Sequence, residues 1–154
     1  MATASDAMAT PCSSSMTERA HIVYLGLGSN LGDKSGNIAE AIRRIERLIG
    51  RVERQSAFHV SEPWGFVSDN SFVNAVVTCR THLTPRRLLA ATQDIERAMG
   101  RTRKSHDGTY HDRVIDIDIL LYDDIHIDYP DLKIPHPLMQ QRDFVMIPLA
   151  EVME

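Results

Sequence analysis

Two aspartates one residue apart, Asp116 and Asp118, stand inside the aliphatic run Arg113-Val114-Ile115-Asp116-Ile117-Asp118-Ile119-Leu120-Leu121. β-Branched and aliphatic residues favour an extended chain, and successive side chains of a strand point to opposite faces. Ile115, Ile117 and Ile119 therefore share one face and the two aspartates the other, with their Cα atoms about 7 Å apart. Two like charges on one face repel, and burying them without a partner is costly, so something cationic has to offset them. Closely spaced carboxylate oxygens suit Mg²⁺, which takes one or two carboxylates and fills its shell with water and substrate phosphates. The same pattern also describes a solvent-facing strand with ordinary surface carboxylates. Arg97, Arg101, Arg103, Lys104 and Arg113 gather just before this run, which suits a polyanionic phosphate substrate. Arg113 itself falls by spacing on the apolar face, and would turn inward only if the strand bends at its entry.

The elements that must position these residues follow from periodicity and punctuation. His21 to Leu27 reads as a buried strand, followed by the glycine-rich turn Gly26-Leu27-Gly28-Ser29-Asn30-Leu31-Gly32-Asp33. A dinucleotide fingerprint would need a third glycine at Leu31, and no Gly-Lys-Ser/Thr follows, so these glycines serve tight turning and close packing. Ile38, Ile42, Ile45 and Ile49 recur at helical spacing in a helix over 35–49 that Gly50 ends. A second strand is expected over 51–60 and a third over 72–79, where Asn74 interrupts the apolar pattern and so is either buried with partners or lines a pocket. Between them, Pro63, Trp64, Gly65 and Phe66 suggest a binding loop. Thr84-Pro85 is an N-cap and first-turn proline opening a second helix to Met99, with Leu88, Leu89, Ile95 and Met99 inward. The polar, basic segment 101–112 resembles a mobile lid. A short extra strand at 125–127 and a terminal helix over 144–152 complete the chain. The order strand, helix, strand, strand, helix, strand is that of an α+β, ferredoxin-like βαββαβ sandwich: an antiparallel sheet with helices packed on it.

Length and composition narrow the classes. With 154 residues, 43% hydrophobic and 25% charged, the chain is read as one domain over 20–154 behind a disordered extension over 1–19. A net charge of -4 gives no general basic field for nucleic acid, and no apolar run is long enough for a membrane span. Cys12 and Cys79 form no framework, so a buried, reduced Cys79 and a cytoplasmic location are expected. His106, His111 and His126 lack zinc-ligand spacing.

Taken together, Gly28-Ser29-Asn30-Leu31-Gly32, Phe72-Val73-Asn74-Ala75-Val76, Ile95-Glu96, Gly100-Arg101-Thr102-Arg103-Lys104, the Arg113–Ile119 run, Ile134-Pro135-His136-Pro137 and Arg142-Asp143-Phe144 occur in one order. In that order the chain resembles the 6-hydroxymethyl-7,8-dihydropterin pyrophosphokinase family of folate biosynthesis. The resemblance implies transfer of diphosphate from ATP to the hydroxymethyl group of the pterin, releasing AMP. It implies Asp116 and Asp118 as ligands of two Mg²⁺ ions, and Arg101 and Arg113 beside them as catalytic contacts to the phosphates. It implies Gln93, Glu96, Arg103, Lys104, Ile119, His136 and Arg142 around the nucleotide. For the pterin it implies Phe72 and Phe144 as stacking rings, Asn74 on the ring edge, Ser61 and Trp64 from the loop, and Tyr110 as a capping ring. Neighbouring folate-pathway enzymes are the partners the resemblance suggests.

The chain departs from the family pattern before Arg113, where His111 and Asp112 stand, and at Tyr110, in a position where a Trp can sit. Taken alone, His136 and Asn74 would be structural residues, and Glu96 a solvated helix residue paired with an arginine. Two other function classes compete: a catalytically silent ligand sensor, which would bind nucleotide without forming AMP, and a nucleic-acid module, which lacks the strand aromatics and basic face it needs.

Overall fold

The computed structural model describes residues 20–61, 71–100, 114–137, 139 and 142–153, and for Ser61 and Phe144 the main chain. The expected N-terminal extension, the Trp64 loop and the basic segment through Arg113 lie outside these residues. Strand β1 (His21–Ser29) is followed by α1 (Lys34–Leu48), β2 (Gly50–Gln55), β3 (His59–Ser61), β4 (Phe72–Thr81), α2 (Pro85–Ala98) and β5 (Asp116–Tyr122). The sheet order is β2-β4-β1-β5, with β3 continuing beside β4, and every pairing is antiparallel. This is the βαββαβ sandwich expected from the order of elements.

Helices α1 and α2 cover one face. Asp33 caps α1 by accepting from the Gly36 N–H at 3.1 Å, and Thr84 caps α2 by accepting from Arg87 N–H at 3.3 Å. Ile38, Ala41 and Ile45 from α1 and Leu88 and Ile95 from α2 pack against Val23, Leu25, Ala75, Val77, Ile117 and Ile119 of the sheet. Cys79 is a buried free thiol within this core, and burial pushes its pKa up to about 12, so it behaves as a small apolar residue. Gly50, expected to end α1, directly follows its C-cap residue Ile49 and begins β2. A Cβ there would fall far inside contact with the carbonyl oxygen of Arg80 and 3.1 Å from Thr81 Cα.

The single strand expected over 51–60 is two, β2 and β3. Ser56 makes the break, donating its N–H to Val76 O at 2.9 Å while its Oγ accepts from Val76 N–H at 3.0 Å. One side chain thus takes a rung of the ladder with β4. The expected strand at 125–127 lies at β6 (Ile127–Tyr129) and pairs with β7 (Leu132–Ile134) instead of the main sheet. Arg86 of α2 holds that hairpin through Asp131 at 2.6 Å and stacks over Tyr129 at 4.9 Å.

Helix α3 (Asp143–Val152) packs on the opposite face, where Val145, Leu149 and Val152 meet Val76, Leu120 and Met139. Glu151 latches it to the sheet, accepting from Ala57 N–H at 2.8 Å and meeting His59 Nε2 at 2.6 Å. The Ala57 amide first, then His59, holds the Glu151 carboxyl below its ordinary 4.5. A depressed carboxyl adds stability above its unfolded pKa and loses it as pH falls through the folded value. Glu151→Gln is therefore expected to flatten the decline in melting temperature below pH 4.5. An acid limb identical to that of the parent would mean that the latch contributes nothing. No helix among the described residues is long and apolar enough to cross a membrane.

Candidate active site

Among the described residues helix α3 packs on Val76 and Leu120, and the same face also carries Asn74, Asp116 and Asp118. In β5 burial alternates as expected from the sequence: Ile117 and Ile119 turn into the core, while Asp116 and Asp118 are half-exposed on the α3 side. Strand register then assembles the site. Gly28 of β1 pairs with Asn74 of β4 on one side and Asp116 of β5 on the other, and His59 of β3 pairs with Asn74. His59, Asn74, Gly28 and Asp116 thus form one row across four strands, with about 10 Å between the backbones of Asn74 and Asp116. In the next row on that face, Gly26 stands between Val76 and Asp118.

Glycine at the middle of the row has a steric reason. A Cβ at Gly28 would lie 3.2 Å from Asn74 Oδ1 and 3.5 Å from Phe72 Cδ1. Its absence leaves a flat floor between a buried amide and a carboxylate, with the Phe72 ring at the rim. The sequence assigned these glycines to turning and close packing; their place in a floor follows only from register.

The other end of the site is built by the connection after β7. His136 donates its backbone N–H to Leu120 O at 3.1 Å, which brings its Nε2 to 3.9 Å from Asp118 Oδ1. Burial first, and the Arg142 charge second, hold the His136 pKa below its ordinary value against the opposing pull of Asp116. At neutral pH the ring is therefore neutral, and its approach to Asp118 becomes an ion pair only on acidification. Arg142 is buried at the start of α3, and Phe144 lies in the first turn of that helix. Asp116, Asp118, His136 and Arg142 thereby converge from β5 and the α3 approach.

Other expected site residues are distributed around this centre. Glu96 is buried on α2 and accepts from Ile117 N–H at 2.7 Å, whereas Gln93, one turn earlier, is solvent-exposed. The side chain of Ile119 belongs to the core, leaving its main chain as the part a ligand can meet. Ser61 pairs with Phe72 at the end of β3. Trp64, Arg101, Arg103, Lys104, Tyr110 and Arg113 lie outside the described residues. The turn after β1 is rigid: Ser29 and Asn30 are fully buried, and Asn37 Nδ2 donates to Ser29 Oγ at 3.2 Å and Leu31 O at 2.8 Å. Among the described residues no three His, Cys, Asp or Glu side chains gather as a metal cluster. Two half-exposed carboxylates on one strand face are donors of the kind a hard cation takes alongside water and phosphate.

The chain is similar to known proteins of one family. Residues 24–154 match the family model described as 7,8-dihydro-6-hydroxymethylpterin-pyrophosphokinase (HPPK). A 2-amino-4-hydroxy-6-hydroxymethyldihydropteridine pyrophosphokinase of Porphyromonas gingivalis is 51% identical over 132 residues, 85% of this chain and 90% of the relative. The enzyme of the same name from Aquifex aeolicus is 42% identical over 130 residues, 84% of this chain and 79% of the relative. Among solved structures, an HPPK-DHPS in complex with substrates superposes with a TM-score of 0.70 at 14% identity, covering 87% of this chain and 40% of that one. Plasmodium falciparum HPPK-DHPS with pteroate gives a TM-score of 0.66 at 16% identity, covering 84% and 38%. At such identities these structures share the fold, and this chain spans about two fifths of their length.

Proposed function

The chain belongs to the 7,8-dihydro-6-hydroxymethylpterin-pyrophosphokinase family, and from that membership we propose that ATP is held through Mg²⁺ at Asp116 and Asp118 while the pterin lies over Gly28 beside Asn74. The reaction is transfer of diphosphate from ATP to the hydroxymethyl group of 6-hydroxymethyl-7,8-dihydropterin in folate biosynthesis. The hydroxymethyl oxygen forms a bond to the β-phosphorus and gives up its proton, the bond from that phosphorus to the α-phosphate oxygen breaks, and AMP departs. The observation that carries this reading is the row Asn74–Gly28–Asp116. A ring edge recognised at Asn74 and a phosphate chain drawn to Asp116 meet across one glycine.

Each side chain has a task suited to its chemistry. The Asn74 amide offers a donor and an acceptor to the polar edge of the heterocycle, and Phe72 and Phe144 supply ring faces for stacking. Asp116 and Asp118 are half-buried acceptors whose mutual repulsion a divalent cation relieves. Asp116 and Asp118 would hold two such ions, which would supply positive charge to the phosphates during transfer. A neutral His136 and the Arg142 cation face the nucleotide, with the Ile119 main chain and Gln93 at its margin. By family resemblance Arg101 and Arg113 contact the phosphates, Arg103 and Lys104 lie around the nucleotide, and Ser61, Trp64 and Tyr110 complete the pterin pocket. We place the enzyme in the cytoplasm. Association with a neighbouring folate-pathway enzyme is suggested by a Dictyostelium discoideum folic acid synthesis protein, which is 42% identical over 132 residues, 20% of its length.

AMP release with ATP and pterin together, and with each omitted, tests the reaction. AMP is expected only when both are present; nucleotide binding without AMP would favour a silent sensor. Gly28→Ala tests the floor. The added methyl must displace Asn74 or Phe72 or stand where the heterocycle rests, so KM for the pterin is expected to rise about tenfold or more, the effect of 1–3 kcal/mol of overpacking. KM for ATP should change little. An unchanged pterin KM would remove Gly28 from the site.

A further inference from the structure

We infer that Glu96 is a positioning residue that aims Asp116 and Asp118 by holding the backbone amide between them. This rests on the reading that the two aspartates carry the metal–nucleotide complex. Among the described residues β5 has one strand neighbour, β1, so it is an edge strand. Alternate N–H groups of an edge strand point away from the sheet and lack a ladder partner. The N–H of Ile117 is such a group, and it donates to Glu96 Oε2 at 2.7 Å. Glu96 lies on the inward stripe of α2 with Leu88, Thr92 and Ile95, and is only 7% exposed. An apolar residue would be the ordinary occupant there, and a carboxylate is costly unless its hydrogen bonding compensates. Here a charge-assisted bond clamps the strand to the helix at the residue flanked by both aspartates. Tilt and twist of β5 at Ile117 set the directions in which Asp116 and Asp118 project. Partners that orient metal ligands in this way commonly matter 10–100-fold for metal affinity.

Two substitutions separate positioning from direct contact with the nucleotide. Glu96→Gln keeps an acceptor within reach of Ile117 and removes the charge, while Glu96→Asp keeps the charge and withdraws the acceptor by one methylene. Three readouts are needed: exchange of the Ile117 amide by NMR, Mn²⁺-dependent binding of an ATP analogue with a methylene between its α and β phosphorus atoms, and kcat against KM. Glu96→Asp is expected to speed Ile117 exchange and weaken metal–nucleotide binding by about 10–100-fold, lowering kcat with little change in pterin KM. Glu96→Gln should retain slow exchange and stay within a few-fold of the parent in binding. The inference is overturned if Glu96→Asp leaves exchange and binding unchanged. It is equally overturned if Glu96→Gln keeps Ile117 protected yet loses binding, because the charge would then act on the nucleotide directly. Asp118→Asn in the same binding assay tests the underlying reading: undiminished affinity there, with Ile117 exposed in Glu96→Asp, locates the failure in the metal site.

Discussion

Asp116→Ala and Asp118→Ala should each lower kcat by about a thousandfold or more, with the melting temperature close to that of the parent. The loss in rate corresponds to about 4 kcal/mol of transition-state stabilisation, the scale associated with removing a preorganised electrostatic group from a reaction centre. Stability should be spared because neither carboxylate contributes to the core. Both are half-exposed on the face opposite Ile117 and Ile119. Steady-state kinetics at saturating Mg²⁺ and a thermal melt on the same preparation check both halves. Near-parent turnover at saturating Mg²⁺ would remove the pair from catalysis, and a large fall in melting temperature would show a structural role instead.

Gly50→Ala should do the reverse, lowering stability by about 3 kcal/mol, or roughly 6–12 °C in melting temperature, while kcat per folded molecule is preserved. The added methyl would collide with the backbone carbonyl of Arg80, which cannot rotate aside as a side chain can. Strand β2 would have to lift from β4 at the corner where Thr81 Oγ1 donates to Ile49 O at 2.7 Å and accepts from Leu83 N–H at 3.1 Å. That corner lies at the end of β4 opposite Asn74 and Phe72, so the chemistry is insulated from it. Hydrogen exchange localises the effect. Loss of protection in β2 with β1 and β5 intact is expected, and an unchanged melting temperature would mean that the strand pair yields at no cost.

Much of the fold was legible because local signals and tertiary packing agree. The Ile38, Ile42, Ile45 and Ile49 stripe of α1, the Thr84-Pro85 start of α2 and the apolar alternation around Asp116 each read directly from residue types. Other features were hidden for physical reasons. The break at Ser56 looked continuous because Val52, Phe58 and Val60 sustain an apolar pattern, and a serine that substitutes for a strand rung leaves no periodic trace. Taken alone, Glu96 looked like a solvated helix residue because its hydrogen bond to a backbone N–H carries no sequence signal. The roles of Gly26 and Gly28 depend on the pairing of β1 with β4 and β5, a register that no single segment encodes. Helix α3, with Pro148 inside it and apolar residues on most sides, offered little to say which sheet face it would cover.

The most direct test of the metal assignment is a crystal structure with Mn²⁺, the α,β-methylene ATP analogue and hydroxymethyldihydropterin, with the ions located by their anomalous scattering. Expected are manganese peaks about 2.1 Å from carboxylate oxygens of both Asp116 and Asp118, touching the phosphates, with the pterin hydroxymethyl group turned toward them over Gly28. Manganese and phosphates bound elsewhere, with both aspartates clear of any ion, would contradict it.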